Sequence, residues 1–359
     1  MSDAPQALSR LGQSLWLDNI TRDLLDQGTL KHYIDQLSVT GLTSNPTIFD
    51  RAISHSSSYD QEIRRQLALG ASGEDLFFKL AIQDLTRAAD LFAKIFERTA
   101  SVDGFVSLEV SPLLAYDAPA SLAQARRLHA EANRPNLFIK IPGTQQCLPA
   151  IEEAIFSGVP VNVTLLFSAD QYIAAADAYQ KGLERRVAAG LSPDVRSVAS
   201  LFVSRWDSAV ADKVPVELRN TLGLAVGGQV YRAYRACLDS DRFQRLQNNG
   251  ARPQRLLFAS TGTKDKAASD TLYVSGLAAP NTINTMPEAT LLAFADHGRL
   301  PDALASDGGP FGSVLAAHAK AGIDLAALSA QLQSDGAKGF VTSWNELLAA
   351  IEKKSRVLA

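Results

Sequence analysis

Lys140 interrupts an otherwise apolar run, Leu137-Phe138-Ile139-Lys140-Ile141, that ends at Pro142-Gly143. Such a run fits a strand buried on both faces, as in a parallel sheet. An ammonium between two isoleucines loses its hydration, and desolvation favours the neutral amine. A neutral amine at a strand's end is what a Schiff-base nucleophile requires. The structural alternative is a lysine that snorkels to solvent or holds a carboxylate.

Chemistry of that kind needs a scaffold that brings other polar groups to the same place. Strand-like segments fall at 14–18, 39–44, 104–110, 136–142, 159–166, 196–203 and 254–260, with a weaker eighth at 271–275. Between them, helical spacing covers 21–37 (broken at Gly28), 48–69, 74–99, 119–133, 144–157, 170–189 and most of 206–237. Residues 287–297, 314–332 and 342–357 also read as helices, and polar 239–253 as a loop or short insertion. Eight strand–helix alternations predict one (β/α)8 barrel domain over residues 1–359, with additional N-terminal, inserted and C-terminal helices. A doubly wound sheet is the alternative, but the first strand–helix turn, residues 18–21, lacks a glycine-rich phosphate loop.

Bulk properties narrow the partners. The 359 residues are 46% hydrophobic and 20% charged, with a net charge of -3, so nucleic acid and anionic membranes are not expected partners. Cys147 and Cys237 stand far apart, and the five histidines show no metal-ligand spacing, so neither a metal nor any other cofactor is expected. No apolar run approaches the roughly 18 residues of a membrane helix. The first residues lack a signal-peptide pattern, so a cytoplasmic chain is expected. Monomer and homodimer are both compatible with these features.

In a barrel, the C-terminal strand ends build the site. The polar residues there are Asp18, Asn45, Glu109, Lys140, Asn162 with Thr164, Ser200 with Arg205, and Ser260 with Lys264. Each has an ordinary structural use: Asp18 as a helix cap, Asn45 as a turn residue, Asn162 and Thr164 as hydrogen-bond fillers, Glu109 as a solvated strand exit. Together they make one chemistry. An amine adds to a ketone, the iminium withdraws electrons from the neighbouring carbon–carbon bond, and a carboxylate takes the hydroxyl proton. Amides and hydroxyls fix sugar hydroxyls, while Arg205 and Lys264 offer charge-assisted contacts to a terminal phosphate.

Four segments carry a resemblance: GLTSNPTIF (41–49), LFIKIPGTQQCLPAIE (137–152), NVTLLFS (162–168) and SLFVSR (200–205). In this order they resemble the signature blocks of the transaldolases, class I aldolase-type transferases of the pentose phosphate pathway, in their longer bacterial and plant-like branch. The resemblance implies Lys140 as the Schiff-base lysine and Asp18 as acid/base for the breaking bond. Glu109 and Thr164 would act through a catalytic water. Asn45, Asn162 and Ser200 would hold the dihydroxyacetone unit, Phe202 would line the pocket, and Arg205 and Ser260 would bind phosphate. The sequence departs from the family after Ser260, where Thr261-Gly262-Thr263-Lys264 replaces the usual aromatic and arginine. The expected partners are phosphorylated ketose and aldose substrates: sedoheptulose 7-phosphate or fructose 6-phosphate as donor, glyceraldehyde 3-phosphate or erythrose 4-phosphate as acceptor. A fructose-6-phosphate aldolase-like enzyme that releases the unit to water is the nearest alternative. A non-catalytic sugar-phosphate-binding barrel is the other.

Overall fold

In the computed structural model, which describes residues 3–300 and 302–359, the apolar runs form eight parallel strands. They are β1 (Ser14–Asp18), β2 (Val39–Thr43), β3 (Val106–Glu109), β4 (Leu137–Pro142), β5 (Val161–Leu166), β6 (Ser197–Phe202), β7 (Gln254–Ala259) and β8 (Ile283–Met286). Each strand pairs with its sequence neighbours and β1 pairs with β8, so the sheet closes into a (β/α)8 barrel. Closure buries both faces, and every residue of β3, β4, β5, β6 and β8 is buried. Register then fixes the chemistry: Glu109 of β3 lies level with Lys140 of β4, which lies level with Asn162 of β5. No helix among the described residues is long and apolar enough to cross a membrane.

Four sequence expectations need correction. Residues 271–275 do not form the eighth strand; Leu272–Gly276 is a helical turn, and the strand is Ile283–Met286. Tyr273 and Val274 gave the segment a strand-like look, but they are buried outside the barrel, where the Tyr273 hydroxyl donates to Asp207 at 2.8 Å. The polar stretch 239–253 contains a helix, Asp241–Asn248, capped by Ser240 and anchored by buried Phe243 and Leu246 one turn apart. Residues 48–69 divide into two helices, Pro46–His55 and Asp60–Ala68. At the C-terminus the break precedes residue 325: Gly312–Lys320 ends before Gly322 (φ 89°), and Leu325–Leu358 then runs unbroken.

That last helix is longer than its sequence suggests because Gly336 does not interrupt it. A β-carbon there would come within 2.9 Å of the Arg205 guanidinium and 3.0 Å of Leu165, so the missing side chain is what lets the helix approach the barrel rim. Its buried stripe, Leu328, Leu332, Gly336, Phe340, Trp344, Leu347 and Ile351, has helical spacing. Trp344 is 1% exposed and lies 5.0 Å from the Phe77 ring and 5.7 Å from Phe78, so it pins the helix to the long helix Gly73–Arg98. Trp344→Ala should lower stability by about 3–5 kcal/mol through lost transfer energy and a residual cavity. Val357→Ala, at a 79% exposed position of the same helix, should change it by less than about 0.5 kcal/mol. Denaturant midpoints measure both; equal midpoints for the two variants would remove Trp344 as the anchor.

Candidate active site

A cleft of about 320 Å³ opens at the C-terminal ends of the strands. Lys140 reaches it from β4, Asp18 from β1, Thr164 from β5, and Ser200 and Phe202 from β6. Asn45, Arg205, Ser260 and Lys264 line it from the segments just beyond the strands. Glu109 and Asn162 do not line the cleft; they are buried immediately behind it, at the Lys140 level. The eleven residues singled out in the sequence therefore gather at one rim.

The amine is held by a neutral dipole. Lys140 Nζ donates to the Ser44 carbonyl at 2.9 Å, in the loop of the Thr-Ser-Asn-Pro segment. Ser44 is itself fixed, its hydroxyl donating to the Ser107 carbonyl at 2.8 Å. Lys140 forms no ion pair among the described residues, although Glu109 sits at the matching position of the next strand. Neither carboxylate oxygen of Glu109 has a hydrogen-bond partner among the described residues. Burial pushes the Glu109 pKa up to about 7, against the pull of Lys140 and Arg205 and with a push from Asp18. Thr164, next to this pair, also carries a buried hydroxyl without a partner. An unpartnered hydroxyl lining the cleft, with an unpartnered carboxylate buried behind it, is suited to holding a water or a substrate oxygen.

Asp18 is not a helix cap; Thr21 caps the following helix, accepting from Leu24 N at 3.0 Å. Asp18 instead accepts from Thr43 Oγ1 at 2.7 Å. Thr43 Oγ1 also lies 2.7 Å from Thr285 Oγ1, so with its proton given to Asp18 it accepts from Thr285. Asn45 combines two uses, for its Oδ1 caps the helix Pro46–His55 at Ile48 N (3.1 Å) while the residue borders the cleft. Asn162 is locked by Ser200, which donates to its Oδ1 at 2.7 Å, and by its own donation to Ser107 Oγ at 3.1 Å.

At the outer end, the Arg205 guanidinium stands 5.1 Å from the Phe202 ring and 5.8 Å from Phe340. Burial lowers its pKa, opposed by the attraction of Glu109. Two aromatic faces hold the fork in one plane, ready for a bidentate anion. Ser260 has φ 55° and its hydroxyl lies 2.9 Å from Ser204 Oγ. Lys264 is exposed at the edge. Sequence reasoning missed Thr43, Ser107, Thr285, Arg51 and Phe340. Ser107 was detectable, since it lies two residues before Glu109 on the same strand and so on the same face. Phe340, some two hundred residues from Lys140 in the chain, gave no local signal.

The chain as a whole resembles known proteins. The family model described as transaldolase/fructose-6-phosphate aldolase matches residues 15–351. The chain is 43% identical to a transaldolase of Saccharopolyspora erythraea over 97% of both chains. It is 44% identical to a transaldolase of Thiobacillus denitrificans, covering 96% of this chain and 98% of the relative. To a transaldolase of Mycobacterium bovis it is 43% identical, with 95% and 94% covered. An unbroken match of this length and identity places the chain in the transaldolase/fructose-6-phosphate aldolase family, as an enzyme of the transaldolase type.

Proposed function

We propose that Lys140 carries a three-carbon dihydroxyacetone unit as an imine, moving it from a ketose phosphate to an aldose phosphate. The observation that supports this best is the buried Lys140 amine, bonded to a carbonyl rather than a carboxylate, at the floor of a polar cleft. In this reading the amine adds to the ketose carbonyl and the carbinolamine loses water to give the iminium. Asp18 takes the proton of the hydroxyl on the carbon that becomes the aldehyde, the bond to that carbon breaks, and its electrons enter the iminium to leave an enamine. The aldehyde departs, the acceptor aldehyde is attacked by the enamine, and Asp18 returns its proton to the new alkoxide. Hydrolysis of the second iminium frees the product. Glu109 and Thr164 hold the water made and used in these steps. Asn45, Asn162 and Ser200 orient the three-carbon unit against Phe202, and Arg205, Ser260 and Lys264 take the phosphate. The full span 1–359 acts as one domain, and its phosphosugar substrates and free cysteines fit a cytoplasmic enzyme.

Borohydride with fructose 6-phosphate should add one reduced adduct, seen by intact mass and mapped to Lys140. Lys140→Ala should lose turnover and trapping while folding normally; an adduct on another lysine would sink the assignment. Asp18→Asn should still trap an imine yet fail to cleave, whereas Glu109→Gln should form the imine slowly. Equal loss of trapping in both would merge their roles. Dihydroxyacetone released at the transfer rate without acceptor would favour the aldolase reading.

Glu109 also predicts a pH dependence. Its folded pKa of about 7 exceeds the ordinary 4.5, so the folded state binds the proton more tightly. The stability this gives is full below about 4.5 and is lost as pH rises through 7. The gap corresponds to roughly 3 kcal/mol. Glu109→Gln should therefore gain on wild type by up to that amount between pH 4.5 and 8, and its kcat/KM profile should lose a limb near pH 7. Parallel stability profiles for the two proteins would contradict the raised value.

At the phosphate end, Arg205→Ala or Lys264→Ala should cost about 1.5–3 kcal/mol, or roughly ten- to hundred-fold in kcat/KM with fructose 6-phosphate. With fructose the loss should vanish. A Lys264→Ala enzyme equally impaired on both substrates would remove Lys264 from the site.

A further inference from the structure

The opposite, N-terminal face of the barrel holds a second cavity, of about 490 Å³. Four arginines line it: Arg98 from the end of the long helix Gly73–Arg98, Arg196 and Arg252 from just before β6 and β7, and Arg255 from β7 itself. Two have a structural use. Arg255 donates to the carbonyls of Val102 (3.1 Å) and Thr282 (2.8 Å) and to Ser14 Oγ (2.7 Å). Arg196 donates to Ala100 O (3.1 Å) and Ser101 Oγ (2.7 Å) and pairs with Asp194 at 2.9 Å. These bonds tie the strand entries to the segment before β3.

Arg98 and Arg252 are exposed, and their side chains make no hydrogen bond or ion pair among the described residues. Arg255 has no ion pair either. The cavity's carboxylate, Asp103, is spent on neutral donors: Trp16 Nε1 at 2.8 Å, Gly104 N at 3.0 Å and the Ser14 hydroxyl. Four guanidiniums thus line the cavity against two carboxylates, Asp103 and the Asp194 that pairs with Arg196, and Arg196 feels Arg252 as a like charge. Converging like charge in a concave wall raises the local concentration of anions, and guanidinium forks match phosphate geometry. The volume falls within the roughly 300–1,000 Å³ of small-molecule sites.

We propose that this cavity binds a compact phosphate-bearing anion, of the size and charge of a phosphorylated metabolite rather than orthophosphate, at the end of the barrel opposite Lys140. The test is calorimetric titration of inorganic pyrophosphate into the full chain carrying Arg205→Ala and Lys264→Ala, which weakens the catalytic phosphate site. One saturable site should remain. Adding Arg98→Ala or Arg252→Ala, both at exposed positions, should weaken it ten-fold or more, while Arg245→Ala on a neighbouring exposed helix should not. Orthophosphate should bind at least ten-fold more weakly than pyrophosphate. The proposal is overturned by the absence of a saturable site, by full retention of affinity without Arg98 and Arg252, or by an equal loss in Arg245→Ala. Orthophosphate binding as tightly as pyrophosphate would overturn the metabolite-sized ligand.

Discussion

The proposed site depends on keeping a buried amine and a buried carboxylate adjacent without letting them pair. Lys140 and Glu109 occupy matched positions on neighbouring strands, where strands run about 4.8 Å apart. A salt bridge there would fix the lysine as an ammonium, which is no nucleophile. Nζ donates instead to the Ser44 carbonyl, a neutral acceptor. Glu109 is left without donors, and desolvation rather than a partner sets its proton affinity. The barrel's parallel register fixes the two groups at one level, and its closure buries both.

The C-terminal helix supplies the rest of that enclosure. Gln333 Nε2 donates to Gly143 O at 3.1 Å and to Leu165 O at 2.9 Å, joining the exits of β4 and β5. Leu165 has φ 60°, and the β5–β6 register shifts across it. A non-glycine residue in that region is strained and persists only where its surroundings hold it. Here the hold comes from Gln333, and the effect is to set Thr164 at the rim. One turn further on, Gly336 makes room for Arg205, and Phe340 then covers its guanidinium. The last helix of the chain therefore completes a site whose chemistry lies on the strands.

What the sequence revealed followed from local contrast. Lys140 stood out because its neighbours are apolar, and Asp18 and Glu109 because each ends a short apolar strand. Those strands, buried on both faces, leave a continuous hydrophobic signal. The eighth strand is only four residues long and carries Asn284 and Thr285, so its apolar signal was weaker than that of the helical turn before it. With the strand misplaced, Thr285 and its link through Thr43 to Asp18 were lost as well. Phe340 and Gln333 depend on tertiary placement alone. The helices expected at 314–332 and 342–357 left out the stretch between them, where Gly336 serves close approach to the barrel.

The two ends of the cleft are electrically joined through Glu109. Lys140 and Arg205 both draw its pKa down, while Asp18 and burial push it up. On the proposed assignment, a phosphate dianion at Arg205 cancels the guanidinium's pull on the Glu109 proton. Coulomb attraction in a poorly solvated site is strong enough for that loss to matter. Substrate phosphate thus raises the proton affinity of Glu109 when a carbinolamine oxygen must leave as water and an acid is needed. An unphosphorylated sugar leaves Arg205 uncompensated and Glu109 more acidic. The phosphate site therefore contributes to the chemical step through charge as well as to binding through contact.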